Sequence, residues 1–142
     1  MVRQDVLPLN EFKRPTILLA DDYVAFHDVI RRLLEPEFEV VGIVENGQAL
    51  IDAAIRVTPD IIISDIGMPI VSGFEALRQL IVVQPDVKFI FLTAYKEPAF
   101  VEEAQRAGAS GYVDKSRADS ELLPAIRKAM GEGEFYLSRF GT

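Results

Sequence analysis

Ile17-Leu18-Leu19-Ala20-Asp21-Asp22 and Ile61-Ile62-Ile63-Ser64-Asp65 are the two stretches that decide the fold. Each is a short apolar run closed by acid. Runs of this length, bounded by turns, read as buried strands of a parallel sheet. In an open α/β sheet, ligands bind in the crevice beyond the carboxyl ends of the strands. Asp21, Asp22 and Asp65 are therefore expected to meet in one crevice. Three crowded carboxylates repel one another, and some take up protons unless a cation lies among them. A small set of hard oxygen ligands suits Mg²⁺, which keeps several waters and helps to bind phosphate.

Outward from these runs, strand-like and helix-like segments alternate from Pro15 onward. Strands are predicted at 17–20, 38–44, 61–64, 87–92 and 111–113. Between them lie stripes at helical spacing. These are Phe26, Val29, Ile30, Leu33 and Leu34; then Leu50, Ala53, Ala54 and Val57; then Phe74, Leu77 and Ile81. Phe100, Ala104 and Ala107 form a weaker fourth, and Leu122, Leu123, Ile126, Ala129 and Met130 the last. Asn46-Gly47 marks a turn, Pro59 stops the second helix, and Gly108 suits the position after the fourth. Pro124 is expected in the first turn of the last helix or just past it. Five β–α pairs in strict alternation imply an α/β fold, a parallel sheet with helices on both faces. Residues 1–14 are polar and aperiodic and read as a flexible arm.

Composition narrows the function. The chain has 142 residues, the size of one domain, and 49% hydrophobic residues give it a core. A formal net charge of −7 argues against a phosphate-neutralising face, so no nucleic-acid contact is expected from this chain. There are no cysteines and one histidine, which excludes thiolate sites and argues against zinc. No apolar stretch reaches membrane-spanning length, and the start lacks the apolar core of a signal peptide. These features point to a cytoplasmic protein without membrane contact.

Two more polar groups stand at predicted strand ends. Thr93 follows the fourth strand and Lys115 the fifth. The crevice then holds three acids, a hydroxyl and an amine. Each residue has a plainer reading: Asp21, Asp22 and Thr93 as helix N-caps, Asp65 as a turn residue, Lys115 as a solvated lysine. His27 reads as a surface histidine beside the first apolar stripe.

Taken in order, Asp21-Asp22, Asp65-Ile66-Gly67-Met68-Pro69, Leu92-Thr93-Ala94 and Gly108-Ala109-Ser110-Gly111-Tyr112-Val113-Asp114-Lys115 resemble the receiver domain of two-component response regulators. The resemblance covers about Thr16 to Gly131. It implies a flavodoxin-like (βα)5 sandwich, strand order 2-1-3-4-5, as a receiver domain over 15–131 followed by a tail or linker over 132–142. It implies that Asp65 accepts a phosphoryl group from a sensor histidine kinase. Mg²⁺ would be held by Asp22, Asp65 and the Gly67 backbone carbonyl, with Asp21 acting through water. Lys115 and Thr93 would contact phosphoryl oxygens, and Tyr112 would be the switch aromatic that turns inward. The chain would be a phosphoacceptor that catalyses its own phosphorylation and dephosphorylation rather than an enzyme. Where many members have proline after the lysine, Ser116 stands here, so a trans bond is expected. Tyr95 and Gly67 occupy positions that tune phosphate lifetime in the family.

Leu33-Leu34-Glu35-Pro36, Phe38-Glu39-Val40-Val41-Gly42 and Gly133-Glu134-Phe135-Tyr136-Leu137-Ser138 resemble receivers of the NarL/LuxR class. Those carry a C-terminal helix-turn-helix domain, which implies transcription regulation as the output. The competing reading is a stand-alone receiver acting by protein contacts or in a phosphorelay. A phosphorylation-dependent homodimer fits either. A more distant alternative is a Mg²⁺-dependent phosphatase of the haloacid-dehalogenase type. That chemistry wants a second acid two residues after Asp65, where this chain has Gly67.

Overall fold

The apolar runs become the centre of one parallel sheet. The structure is a computed structural model and describes residues 13–131 and 133–140. The strands are β1 (Thr16–Ala20), β2 (Glu39–Val44), β3 (Ile61–Ser64), β4 (Lys88–Thr93), β5 (Gly111–Asp114) and β6 (Tyr136–Leu137). Their order is β2-β1-β3-β4-β5-β6 and every pairing is parallel. The expected order 2-1-3-4-5 is present, extended by a short sixth strand.

Residue alternation along each strand sorts the core onto two faces. Leu18, Ile62, Phe89, Phe91 and Tyr112 pack with α2 (Gly47–Val57), α3 (Gly73–Val83) and α4 (Pro98–Arg106). Ile17, Leu19, Ile61, Ile63, Ile90 and Val113 pack with α1 (His27–Leu34) and α5 (Ala118–Gly131). Burial on both faces explains why β3 reads as an unbroken apolar run.

Local signals set the helix ends. The Asn46 side chain accepts from the Ala49 N–H at 2.8 Å, and Ser72 accepts from Glu75 at 3.2 Å. Pro98 opens α4, where its missing N–H costs nothing. Gly108, at φ 99°, follows the same helix as expected.

The structure differs from the sequence reading along the helical stripes and in the tail. Val29 is 58% exposed, because α1 buries only the Ile30 and Leu34 edge of its stripe. Pro124 lies just past the first turn of α5, one of the two positions expected for it, and its ring leaves the Ser120 carbonyl without a helical donor. The predicted tail supplies β6, pairing Tyr136 with Gly111 and Leu137 with Tyr112. Two residues give no periodic signal, and their anchorage comes from elsewhere. Buried Glu121 of α5 accepts from the Tyr136 hydroxyl at 3.2 Å and from the Ser138 hydroxyl. The Ser138 N–H adds a bond to the Tyr112 carbonyl at 2.9 Å. Most of the predicted N-terminal arm lies outside the described residues. No described helix is long and apolar enough to cross a membrane.

Candidate functional site

Backbone bonds that continue the sheet past its strand ends set the acids in place. The Asp21 N–H donates to the Val44 carbonyl at 3.0 Å, and the Asp65 N–H to the Ala20 carbonyl at 2.9 Å. Asp21 and Asp65 thereby stand side by side above β1 and β3. A carboxylate oxygen from each of Asp21, Asp22 and Asp65 lies within 4.8 Å of the others. Asp21 is buried, Asp65 is partly covered and Asp22 is exposed. The predicted acid cluster is therefore present.

Lys115 joins it from the end of β5. Its Nζ lies 2.6 Å from Asp21 Oδ2 and 3.1 Å from Asp65 Oδ2. The side chain is only 16% exposed, so this ion pair is largely shielded from water. Burial works against the Lys115 charge, but the hydrogen bond to Asp21 and the charge of Asp65 outweigh it. The ammonium is held above the ordinary lysine value. Burial pushes the Asp21 carboxyl up, against the pull of Lys115 and the Tyr23 N–H. Lys115 thus stays charged at neutral pH and offsets part of the repulsion between the acids.

The remaining acceptors are arranged unevenly. Asp65 Oδ1 takes the Ile66 N–H at 2.7 Å, and Asp21 Oδ1 takes the Tyr23 N–H at 2.8 Å. Asp22 has no hydrogen bond or ion pair among the described residues. Asp22 is thus a carboxylate open to a hard cation, beside two more whose lone pairs are only partly used. The donor set is all oxygen and fits Mg²⁺ in charge and hardness.

Thr93 ends β4 and is fully buried, with its hydroxyl accepting from the Tyr95 N–H at 3.3 Å. Tyr95 then reaches back over the loop after β3. A Cβ added at Gly67 would lie 2.7 Å from the Tyr95 hydroxyl. A side chain at that position would have to displace the Tyr95 ring, and the second acid that a haloacid-dehalogenase-type phosphatase uses there is absent from this sequence. The Tyr95 ring is braced by Phe100, at a centroid separation of 5.3 Å.

Tyr112, expected to turn inward on activation, is already fully buried here. Its hydroxyl donates to the Tyr95 carbonyl at 2.8 Å, and its ring meets Phe140 edge-on at 5.8 Å. Burial, with the charges of Glu97 and Asp65, pushes the hydroxyl above the ordinary tyrosine value, which leaves it a neutral donor. The Lys115–Ser116 bond is trans, as the described backbone has no cis peptide. The Ser116 N–H donates to Asp114 Oδ1 at 3.0 Å, a bond that proline could not make.

Two participants were not legible as such. In the sequence Phe26 is one more apolar position, yet the Lys115 ammonium lies 4.8 Å from its ring centroid. Asp114 stands in the sequence only as part of a motif. It is buried, caps the turn at Ser116 and lies 3.7 Å from Lys96. The sequence signal for Asp114 is an acid closing the predicted strand at 111–113, one residue before Lys115.

Comparison with known proteins adds the lineage. The sequence profile described as "Response regulator receiver domain" matches residues 17–127. The transcriptional regulatory protein DegU of Brevibacillus brevis is 37% identical over 123 residues, covering 85% of this chain and 52% of DegU. The response regulator GacA of Pseudomonas aeruginosa is 33% identical over 124 residues, covering 86% of this chain and 58% of GacA. The chain therefore spans about half the length of these relatives. Among solved structures, a LuxR-family two-component response regulator from Aurantimonas sp. superposes with a TM-score of 0.81 at 32% identity. It covers 87% of this chain and 89% of that one.

Proposed function

Because the chain belongs to the response regulator receiver domain family, we propose that it takes a phosphoryl group from a sensor histidine kinase onto the Asp65 carboxylate. The observation that carries this reading is the half-buried ammonium of Lys115 between Asp21 and Asp65, beside the open carboxylate of Asp22. Phosphoryl transfer asks a protein mainly for positioning and for neutralisation of oxygen charge. Asp65 forms a new O–P bond, the bond from phosphorus to the donor breaks, and the product is an acyl phosphate.

Asp22, Asp65 and the Gly67 carbonyl would hold Mg²⁺, with Asp21 acting through water. The ion supplies charge neutralisation on the phosphoryl oxygens. Lys115 hands its contact with Asp65 over to a phosphoryl oxygen and keeps Asp21 as its second partner. Thr93 turns its hydroxyl toward another oxygen, which takes an acceptor away from the Tyr95 N–H. Tyr95 then shifts, and with it the carbonyl that receives the Tyr112 hydroxyl. Since Tyr112 is already inside, the switch in this chain lies in that hydrogen bond rather than in burial of the ring. The names of the relatives support transcription regulation as the output, with phosphorylation-dependent pairing of two copies as a route to it.

Incubation with acetyl phosphate and Mg²⁺, followed by intact-mass measurement, is expected to show one added phosphoryl group. EDTA in excess should prevent it. An unlabelled chain, or labelling indifferent to EDTA, would overturn the reading. A second expectation concerns lifetime. Tyr95→Ala removes the ring that covers the loop beside Asp65 and admits water to the acyl phosphate. Loss of label should quicken by roughly threefold to tenfold, a change of about 1 kcal/mol in barrier. An unchanged decay curve would exclude shielding by Tyr95.

A further inference from the structure

Lys115 is held on three sides, and the third is not a carboxylate. Asp21 and Asp65 take two directions of its ammonium, and the Phe26 ring closes another at 4.8 Å from the centroid. A cation over an aromatic face at this range is attracted by the ring quadrupole, more strongly where water is excluded. We infer that Phe26 is a positioning residue for phosphoryl transfer, holding the Lys115 ammonium over the site while its carboxylate partner changes. The inference rests on the proposed reading of Asp65.

The segment that carries the ring is pinned to Asp21. Asp21 Oδ1 accepts from the Tyr23 N–H at 2.8 Å, and the Tyr23 carbonyl accepts from the Phe26 N–H at 3.0 Å. The His27 Nε2–H donates to the Asp21 carbonyl at 2.6 Å. The residue whose Oδ2 binds Lys115 thus also builds the turn that sets the ring over it. The rest of Phe26 packs against the apolar layer between the sheet and α1, so the ring has little freedom to swing away.

This arrangement matters at transfer. When Asp65 bears a phosphoryl group, Lys115 exchanges a carboxylate oxygen for a phosphoryl oxygen and its charge must travel a short way. A neutral π face takes no proton and attracts the cation less than a carboxylate does, and it keeps bulk water from solvating the ammonium on its outer side. The ring therefore narrows the positions open to Lys115 without adding charge to an already acidic site. Its part in the transfer is played through the lysine.

The test uses the full chain with Phe26→Leu, which keeps an apolar side chain, and Phe26→Tyr, which keeps the ring. In NMR spectra the Lys115 ε-methylene protons are expected upfield in the wild type and in Phe26→Tyr, and at ordinary lysine values in Phe26→Leu. Labelling by acetyl phosphate with Mg²⁺ should slow by roughly threefold to tenfold in Phe26→Leu. It should return to within about twofold of wild type in Phe26→Tyr. A labelled wild type with an equally fast Phe26→Leu, or with Phe26→Tyr as slow as Phe26→Leu, overturns the role of Phe26 alone. A wild type that takes no label overturns the reading of Asp65 and this inference with it, whatever the proton shifts show.

Discussion

Asp65→Asn leaves a folded chain that no longer takes a phosphoryl group. Asparagine has the shape of aspartate, and its carbonyl oxygen can still accept from the Ile66 N–H. The amide has no anionic oxygen to attack phosphorus, so the covalent step is lost. Labelling should fall by more than about a hundredfold, to background. Stability moves little, because two effects oppose. Lys115 loses one carboxylate at 3.1 Å but keeps Asp21 at 2.6 Å. Repulsion between Asp65 and Asp21, which helps to raise the Asp21 carboxyl, disappears. The unfolding midpoint should stay within about 4 °C of wild type. Labelling of Asp65→Asn at the wild-type level would move the phosphoryl group to another residue.

Gly73→Ala should damage fold and site together. Gly73 opens α3, and a Cβ there would lie 2.2 Å from the Asp65 carbonyl oxygen, 3.0 Å from the Phe91 ring and 3.1 Å from the Ile66 Cα. The first and last are backbone and cannot swing away. Alanine is the better helix former by about 1 kcal/mol, so propensity alone favours the change. Overpacking opposes it, at about 1–3 kcal/mol and more where backbone must move. The clash wins, and a net loss of about 2 kcal/mol in chemical denaturation is expected. The same shift displaces the main chain at Asp65, so labelling should slow as well. Gly131→Ala is the control, since nothing lies within 4 Å of its added Cβ. Equal stability of the two variants would show that α3 can slide away from β3.

The acid cluster was legible because its determinants are local and its partners follow from topology. β3 was read to the residue, since burial on both faces leaves Ile61-Ile62-Ile63 no polar alternation to blur its ends. Thr93 and Lys115 are legible because one ends a strand and the other follows one, and parallel strands bring their ends to one edge. The strand order came from family likeness, as alternation alone permits several. What stayed hidden depends on orientation or on contacts far apart in sequence. Val29 and Ile30 are adjacent on one stripe, and only the tilt of α1 against the sheet decides which is buried. Phe26 and Lys115 are far apart in the chain, and nothing in either neighbourhood announces that a ring will cover an ammonium. The inward pose of Tyr112 depends on Tyr95 and Phe140 together, which no motif brings to mind.

The sixth strand also fixes where a polypeptide leaves the domain. β5 and β6 run the same way, so α5 between them runs back toward the starting edge of the sheet. A chain departing after Gly131 would hang from the edge opposite the aspartates. By returning along β5, residues 133–140 carry the exit around to the edge where Asp21 and Asp65 stand. A reporter joined beyond Phe140 is therefore anchored on the aspartate side of the sheet, whereas one joined at Gly131 starts on the far side and must span the length of a strand to reach it.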